Sequence, residues 1–130
     1  MEFNQLSSRI IQAAIAVHKE LGPGLLESVY HSCILIELES MGITAQSQVA
    51  LPIDYRGQKR DGQGFRLDLL GGDTVVVELK SARKVDAAHK KQLLTYLRLA
   101  DKPLGLLINF NEPLLKDGIT RIINTQDRTE

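Results

Sequence analysis

The sequence predicts an α/β fold in which helices flank a mixed central sheet. Three observations carry that prediction. Two helical periodicities open the chain, one on Leu6, Ile10, Ala13, Ala14, Val17 and Leu21 and one from Leu26 to Met41. Three short apolar runs of strand length follow, "FRLDLL", "TVVVELK" and "LGLLINF". Between the last two lies a third helical pattern. Residues 74–110 therefore make a strand–helix–strand unit, whose strands should run parallel with a right-handed crossover.

Each element has its own signal. The first helix spans residues 4–20 and stops at Gly22-Pro23-Gly24, because proline cannot extend a helix and glycine supplies the dihedrals a turn needs. The second, residues 26–41, stops at Gly42. Residues 49–55 read as a strand and "RGQKRDGQG" as a polar turn or loop. "FRLDLL" and "TVVVELK" then form a hairpin around Gly71-Gly72-Asp73. A loop of those three residues pairs Leu70 with Thr74, Asp68 with Val76 and Arg66 with Glu78. Asp86 caps a third helix over residues 87–101, with Leu93, Leu94, Leu97 and Ala100 facing the core. "LGLLINF" is apolar throughout, as in a strand covered on both faces; "GITRII" adds a last strand, and the tail after Asn124 frays.

At 130 residues the chain is expected to be one domain, residues 1–130, with a core large enough to need no disulfide or structural metal. Its single cysteine, Cys33, fits a buried inert thiol in a reducing, cytoplasmic setting. No apolar run approaches the ~20 residues of a membrane span, and the first residues do not resemble a secretion signal. Net charge is zero but unevenly spread. Residues 1–55 carry two basic and six acidic side chains, and residues 56–102 eleven basic and six acidic. Positive charge thus gathers around "VVVELKSARK", as either a solvated face or an anion-binding surface.

Strand residues two apart share a face, so Glu78 and Lys80 lie together. Any odd hairpin loop brings Asp68 to the same face. Two carboxylates and an ammonium on a partly buried face are costly to desolvate unless something compensates. Mg²⁺ would do so, since it typically takes one or two carboxylates and completes an octahedron with waters and phosphate. Asp68 and Glu78 would supply the carboxylates and the backbone carbonyl of Leu79 a third ligand. Lys80 would orient or help deprotonate a water, or neutralise charge growing on a phosphate.

Asp68 followed by Glu78-Leu79-Lys80 resembles the PD-(D/E)xK nuclease superfamily, whose restriction-endonuclease-like core has the order αβββαβ. The superfamily's usual proline before the aspartate is Leu67 here. Gln92 and Tyr96 in "QLLTY" resemble the QxxxY helix motif of the RecB and Cas4-like branch. Gly24, Glu27 and Tyr30 in "GLLESVY" match the GxxExxY motif that names a family within the superfamily, and "LGLLINF" is similar to that family's closing strand. The resemblance implies a Mg²⁺- or Mn²⁺-dependent phosphodiesterase acting on DNA, or on RNA, by water attack. It implies metal binding at Asp68 and Glu78, catalysis by Lys80, a further acidic contribution from Glu27, and substrate positioning by Gln92 and Tyr96. Arg83, Lys84, Lys90 and Lys91 are then the natural contacts to the nucleic-acid backbone, with Arg56, Lys59 and Arg60 reaching it from the earlier loop. A homodimer would enlarge the binding surface.

Plainer roles stand beside these. Glu27 in a first helical turn stabilises the macrodipole without catalysis, and Tyr30 packs at the edge of the core. Asp68 fits a hairpin surface, and Glu78 with Lys80 an exposed ion pair. His89 is read as a cap, and His18 and His31 as structural. The competing function is a catalytically inactive nuclease-fold module that binds nucleic acid or a protein partner.

Overall fold

The computed structural model describes residues 2–60 and 65–125. Helix α1 (Phe3–Leu21) and helix α2 (Glu27–Ser40) come first. Strand β1 (Ala45–Ala50) and a small hairpin of β2 (Asp54–Tyr55) and β3 (Gln58–Lys59) follow. Strands β4 (Arg66–Gly71) and β5 (Val75–Lys80), helix α3 (Ala87–Ala100), strand β6 (Leu104–Asn109), a 3-10 turn at Leu115–Gly118 and strand β7 (Ile119–Ile123) complete the order. The main sheet runs β1-β4-β5-β6-β7; only β5 and β6 are parallel, and the rest are antiparallel neighbours. This is the mixed sheet with flanking helices, consistent with a restriction-endonuclease-like core.

Side-chain alternation sorts the core into two layers. Val75, Val77 and Leu79 of β5 and Leu104, Leu106 and Ile108 of β6 pack with Ile10, Ala13, Val17, Ile34 and Leu38 of α1 and α2. On the other face Val76, Leu70 and Leu107 meet Leu93, Tyr96 and Leu97 of α3. Gly105 lets α3 approach closely: a Cβ there would lie 3.0 Å from Leu93 Cγ. α3 starts in a capping box, in which the Asp86 carboxylate accepts the Ala88 and His89 N–H groups and His89 Nδ1 accepts the Asp86 N–H. No described helix is long and apolar enough to cross a membrane.

Four expectations need correcting. The strand expected at residues 49–55 is Ala45–Ala50. Its outward residues are polar, which hid its start, and Pro52, lacking an N–H, stands beyond its end. Within the polar stretch 56–64, Arg56-Gly57 turns the β2–β3 hairpin and Gln58–Lys59 form β3; residues 61–64 and the tail beyond 125 lie outside the described residues. The β4–β5 hairpin is shifted by two residues: Leu70 pairs with Val76 and Leu69 with Val77, not Leu70 with Thr74. Its turn is closed by the Thr74 N–H on the Gly71 carbonyl, and the positive φ angles fall on Gly72 (+56°) and Asp73 (+58°). Gly71 instead sits under Ile10, where a Cβ would meet Cδ1 at 2.8 Å, so its missing side chain serves packing and not a positive φ. Cys33, finally, is partly exposed.

Candidate active site

The β4–β5 ladder comes apart where the acidic residues lie. Its last paired residues are Leu69 and Val77. Beyond them side chains replace backbone acceptors: Asp68 Oδ2 accepts the Leu79 N–H at 2.9 Å, and Glu78 Oε1 accepts the Asp68 N–H at 3.3 Å. Each carboxylate thus anchors one oxygen on the opposite strand and keeps a second for a ligand. β4 also loses strict alternation here, since Leu69 faces α1 and α2 whereas Leu67 and Leu70 both join the α3 layer. Asp68 therefore reaches into the opening between the strands, where its Oδ2 meets the Leu79 N–H.

Electrostatics follow from that closeness. Glu78 is 7% exposed, so it is no surface ion pair. Burial, and next the neighbouring Asp68 charge, push its carboxyl up from 4.5 to about 8, and the Lys80 charge opposes this more weakly. Tyr96 is buried in the α3 layer, not on an open flank. Its ring meets Phe65 edge-on with centroids 5.8 Å apart. Burial and the charges of Glu78 and Asp68 raise its phenol, which keeps the hydroxyl protonated and able to donate.

Glu27 reaches the same region from α2. Gly22 (φ +73°) and Gly24 (φ +94°) shape the turn between the helices. The Tyr30 hydroxyl staples that turn by donating to the Gly22 carbonyl at 2.6 Å and accepting the Leu25 N–H at 3.1 Å, while its ring stacks on Phe110 at 4.3 Å. Tyr30 is thus structural, and it fixes the first turn of α2. Glu27 Oε2 then accepts the Ser81 N–H at 3.3 Å, and Ser81 Oγ donates to the Leu25 carbonyl. Glu27, Ser28, His31, Gln48, Asp68 and Leu79 line a cavity of about 330 Å³.

The basic residues divide. Arg83, Lys84 and Lys90 line a second cleft of about 180 Å³ with Asn109 and Glu112, whereas Lys91 and Gln92 are exposed on α3. Arg56, Lys59 and Arg60 are exposed on or just after the small hairpin, where Arg60 bonds Gln58 and Lys59. Near the opening, Asn109 and Gln48 were not singled out from sequence, and His31 was read only as structural. Asn109, wholly buried, clamps the segment after β5 by accepting the Ala82 N–H and donating to the Ala82 carbonyl. Its place opposite Lys80 in the parallel pair is the only signal, and it needs the register. His31 and Gln48 face the cavity, and a helical turn from Glu27 to His31 was the one legible hint. His18 packs by Phe110, with Nε2 2.8 Å from the Glu112 carbonyl.

The donor set bears on a cation. Among the described residues no group of three or more His, Cys, Asp or Glu side chains is disposed to hold a metal. Two carboxylates joined by a carbonyl fit the hard cations that keep part of their water, as Mg²⁺ does, and not an all-protein cage. The Lys80 carbonyl accepts the Phe110 N–H on the β6 side. The Leu79 peptide groups, alternating with it, face Asp68.

A comparison with curated proteins and one with solved structures each found no match. The family model of the PD-(D/E)XK nuclease superfamily matches residues 4–122, from the first turn of α1 into β7 and across every acidic and basic candidate above. That superfamily implies a nuclease-type function and contact with nucleic acid, and its members generally use divalent metal ions. The chain belongs to the PD-(D/E)XK nuclease superfamily.

Proposed function

We propose that this protein is a Mg²⁺- or Mn²⁺-dependent nuclease that hydrolyses phosphodiester bonds of DNA, with RNA as the second substrate to test. The observation that carries the reading is the opened end of β4 and β5, where Asp68 and Glu78 each hold one oxygen on the other strand's N–H. Asp68, Glu78 and the Leu79 carbonyl are the proposed metal ligands. When bound, the cation supplies Lewis-acid charge and a water acidified toward neutral pH.

The chain's own residues do the rest. Lys80 lies beside Glu78 in charge and orients the attacking water or neutralises the phosphate as charge grows on it. Glu27 adds a third carboxylate from α2. Tyr96, whose phenol feels the charges of Glu78 and Asp68, serves as a positioning residue, and Gln92 contacts substrate one turn before it. Arg83, Lys84, Lys90 and Lys91 hold the nucleic-acid backbone. The GxxExxY residues Gly24, Glu27 and Tyr30, and the QxxxY pair Gln92 and Tyr96, are what supports assigning the chain to the corresponding branches. The same reading takes residues 1–130 as one nuclease-like domain working in the cytoplasm, with a homodimer enlarging its binding surface.

Purified protein and its Asp68→Ala and Lys80→Ala variants are incubated with single-stranded, double-stranded and branched DNA and with RNA. Each substitution is expected to lower the rate on the order of 10²–10³-fold, as removal of one preorganised electrostatic group does. Equal cleavage by all three proteins would mark a contaminant and defeat the assignment. Oligonucleotide binding without cleavage, and without Mn²⁺ binding by calorimetry, would leave the inactive module.

A further inference from the structure

We propose that His31 and Gln48 contact the substrate and hold the sugar-phosphate of the nucleotide beside the scissile bond. The inference rests on the nuclease reading above. Both residues line the 330 Å³ cavity with Glu27 and Asp68. Its volume sits at the lower end of ~300–1,000 Å³ for ligand sites, room for one unit of a polymer and not for a folded segment.

Gln48 has a left-handed backbone inside a strand, and its carbonyl accepts from Arg66 Nη1 at 3.3 Å. Its φ is +53°, in the left-handed region that favours glycine. The other non-glycine residues with positive φ among those described are Arg56, Asp73 and Asp101; they sit in two hairpin turns and a helix C-cap, where such angles belong. Gln48 lies inside β1. The ladder pairs Ser47 with Leu69 and Val49 with Leu67, and skips Gln48 and Asp68, which face each other between those pairs. The distortion thus sits opposite a carboxylate of the candidate site, at a residue that lines its cavity. Strain of this kind concentrates at ligand-contacting positions.

His31 is held from the other side. It follows Glu27 by one turn of α2, and its Nε2 lies 2.7 Å from Ser47 Oγ, tying α2 to the residue before Gln48. The second ring nitrogen remains as a hydrogen-bonding position. His31, Glu27 and Asp68 are not disposed as a metal-holding group among the described residues. Hydrogen bonding is the chemistry that His31 and Gln48 themselves offer there. A phosphodiester entering beside two carboxylates needs donors, and an imidazole and a primary amide supply them.

The test separates side chain from backbone. Gln48→Gly keeps the positive φ without strain and removes only the amide, so its Tm should equal or exceed that of the wild type. Binding of fluorescein-labelled single-stranded and duplex DNA is followed by anisotropy in Ca²⁺, which accepts the same oxygen ligands in looser geometry. Steady-state cleavage is measured in Mg²⁺ and Mn²⁺. For Gln48→Gly and His31→Ala, Kd and KM should each rise about tenfold with kcat little changed, the loss expected for one hydrogen bond to a charged group. His31→Gln, which retains a donor, should recover part of that loss. Wild-type Kd and KM in Gln48→Gly and His31→Ala would overturn the inference and leave the nuclease reading intact. A wild-type protein that neither binds nor cuts removes both. If His31→Ala fails to fold, Gln48→Gly carries the test alone.

Discussion

Glu78 shows how one side chain links the site to the stability of the fold. Its carboxyl titrates near 8 in the folded protein because it is buried and lies beside Asp68, against an ordinary value of 4.5 in the unfolded chain. The folded state therefore holds a proton that the unfolded state has released throughout that window. Stability from this proton is complete below 4.5 and lost as pH rises through about 8. We expect the Tm of metal-free protein to fall across that range and Glu78→Gln to remove much of the slope, so that the variant is the more stable protein at pH 8. Thermal unfolding by circular dichroism in chelator checks this, and parallel slopes would refute it. Mg²⁺ or Mn²⁺, which needs the ionised carboxylates, should raise the Tm more at pH 8 than at pH 6. The Glu78–Lys80 spacing was legible in the sequence. The burial that separates a site from a surface pair was not, because it depends on α3 and Tyr96 covering that face.

At the scale of elements, the turn between α1 and α2 places Glu27 over the end of β5. Tyr30→Phe keeps the ring stacked on Phe110 but frees the Gly22 carbonyl and the Leu25 N–H. We expect a loss of about 1–2 kcal/mol by chemical denaturation. A fall in cleavage rate should accompany it, since the first turn of α2 no longer holds Glu27 against Ser81. Unchanged stability would mean water replaces both contacts. The helices and the apolar strands were readable because a 3.6-residue or two-residue rhythm survives any packing that buries one face. β1 was placed too late because "AQSQ" at its start carries no apolar run and stands at the sheet's edge. The hairpin register was missed by two residues for a different reason. Glycine serves both turns and close packing, and only Ile10, far away in sequence, shows that Gly71 does the second.

At the scale of the molecule, a net charge of zero conceals an acidic N-terminal part and a basic middle. The basic side chains do not act as one patch: Arg83, Lys84 and Lys90 share a cleft beyond β5, whereas Arg56, Lys59 and Arg60 lie around the small hairpin. If the first group holds phosphates, DNA affinity should fall steeply with salt. Lys84→Ala and Lys90→Ala should each make the log–log slope shallower by about one unit. Lys19→Ala, on α1, should leave it unchanged. Titrations of labelled DNA over a range of NaCl read the slopes, and equal slopes in all variants would remove these lysines from the interface.

The order of helices and strands, the parallel β5–β6 pair and the acid–acid–base triplet were set by local rhythm and spacing, which neighbours along the chain determine. The parting of β4 from β5, the raised carboxyl of Glu78, and the cavity joining Glu27, His31, Gln48 and Asp68 came only with the tertiary structure. Each of these depends on which distant backbone a side chain meets and how much water is left beside it, and no stretch of sequence contains that information by itself.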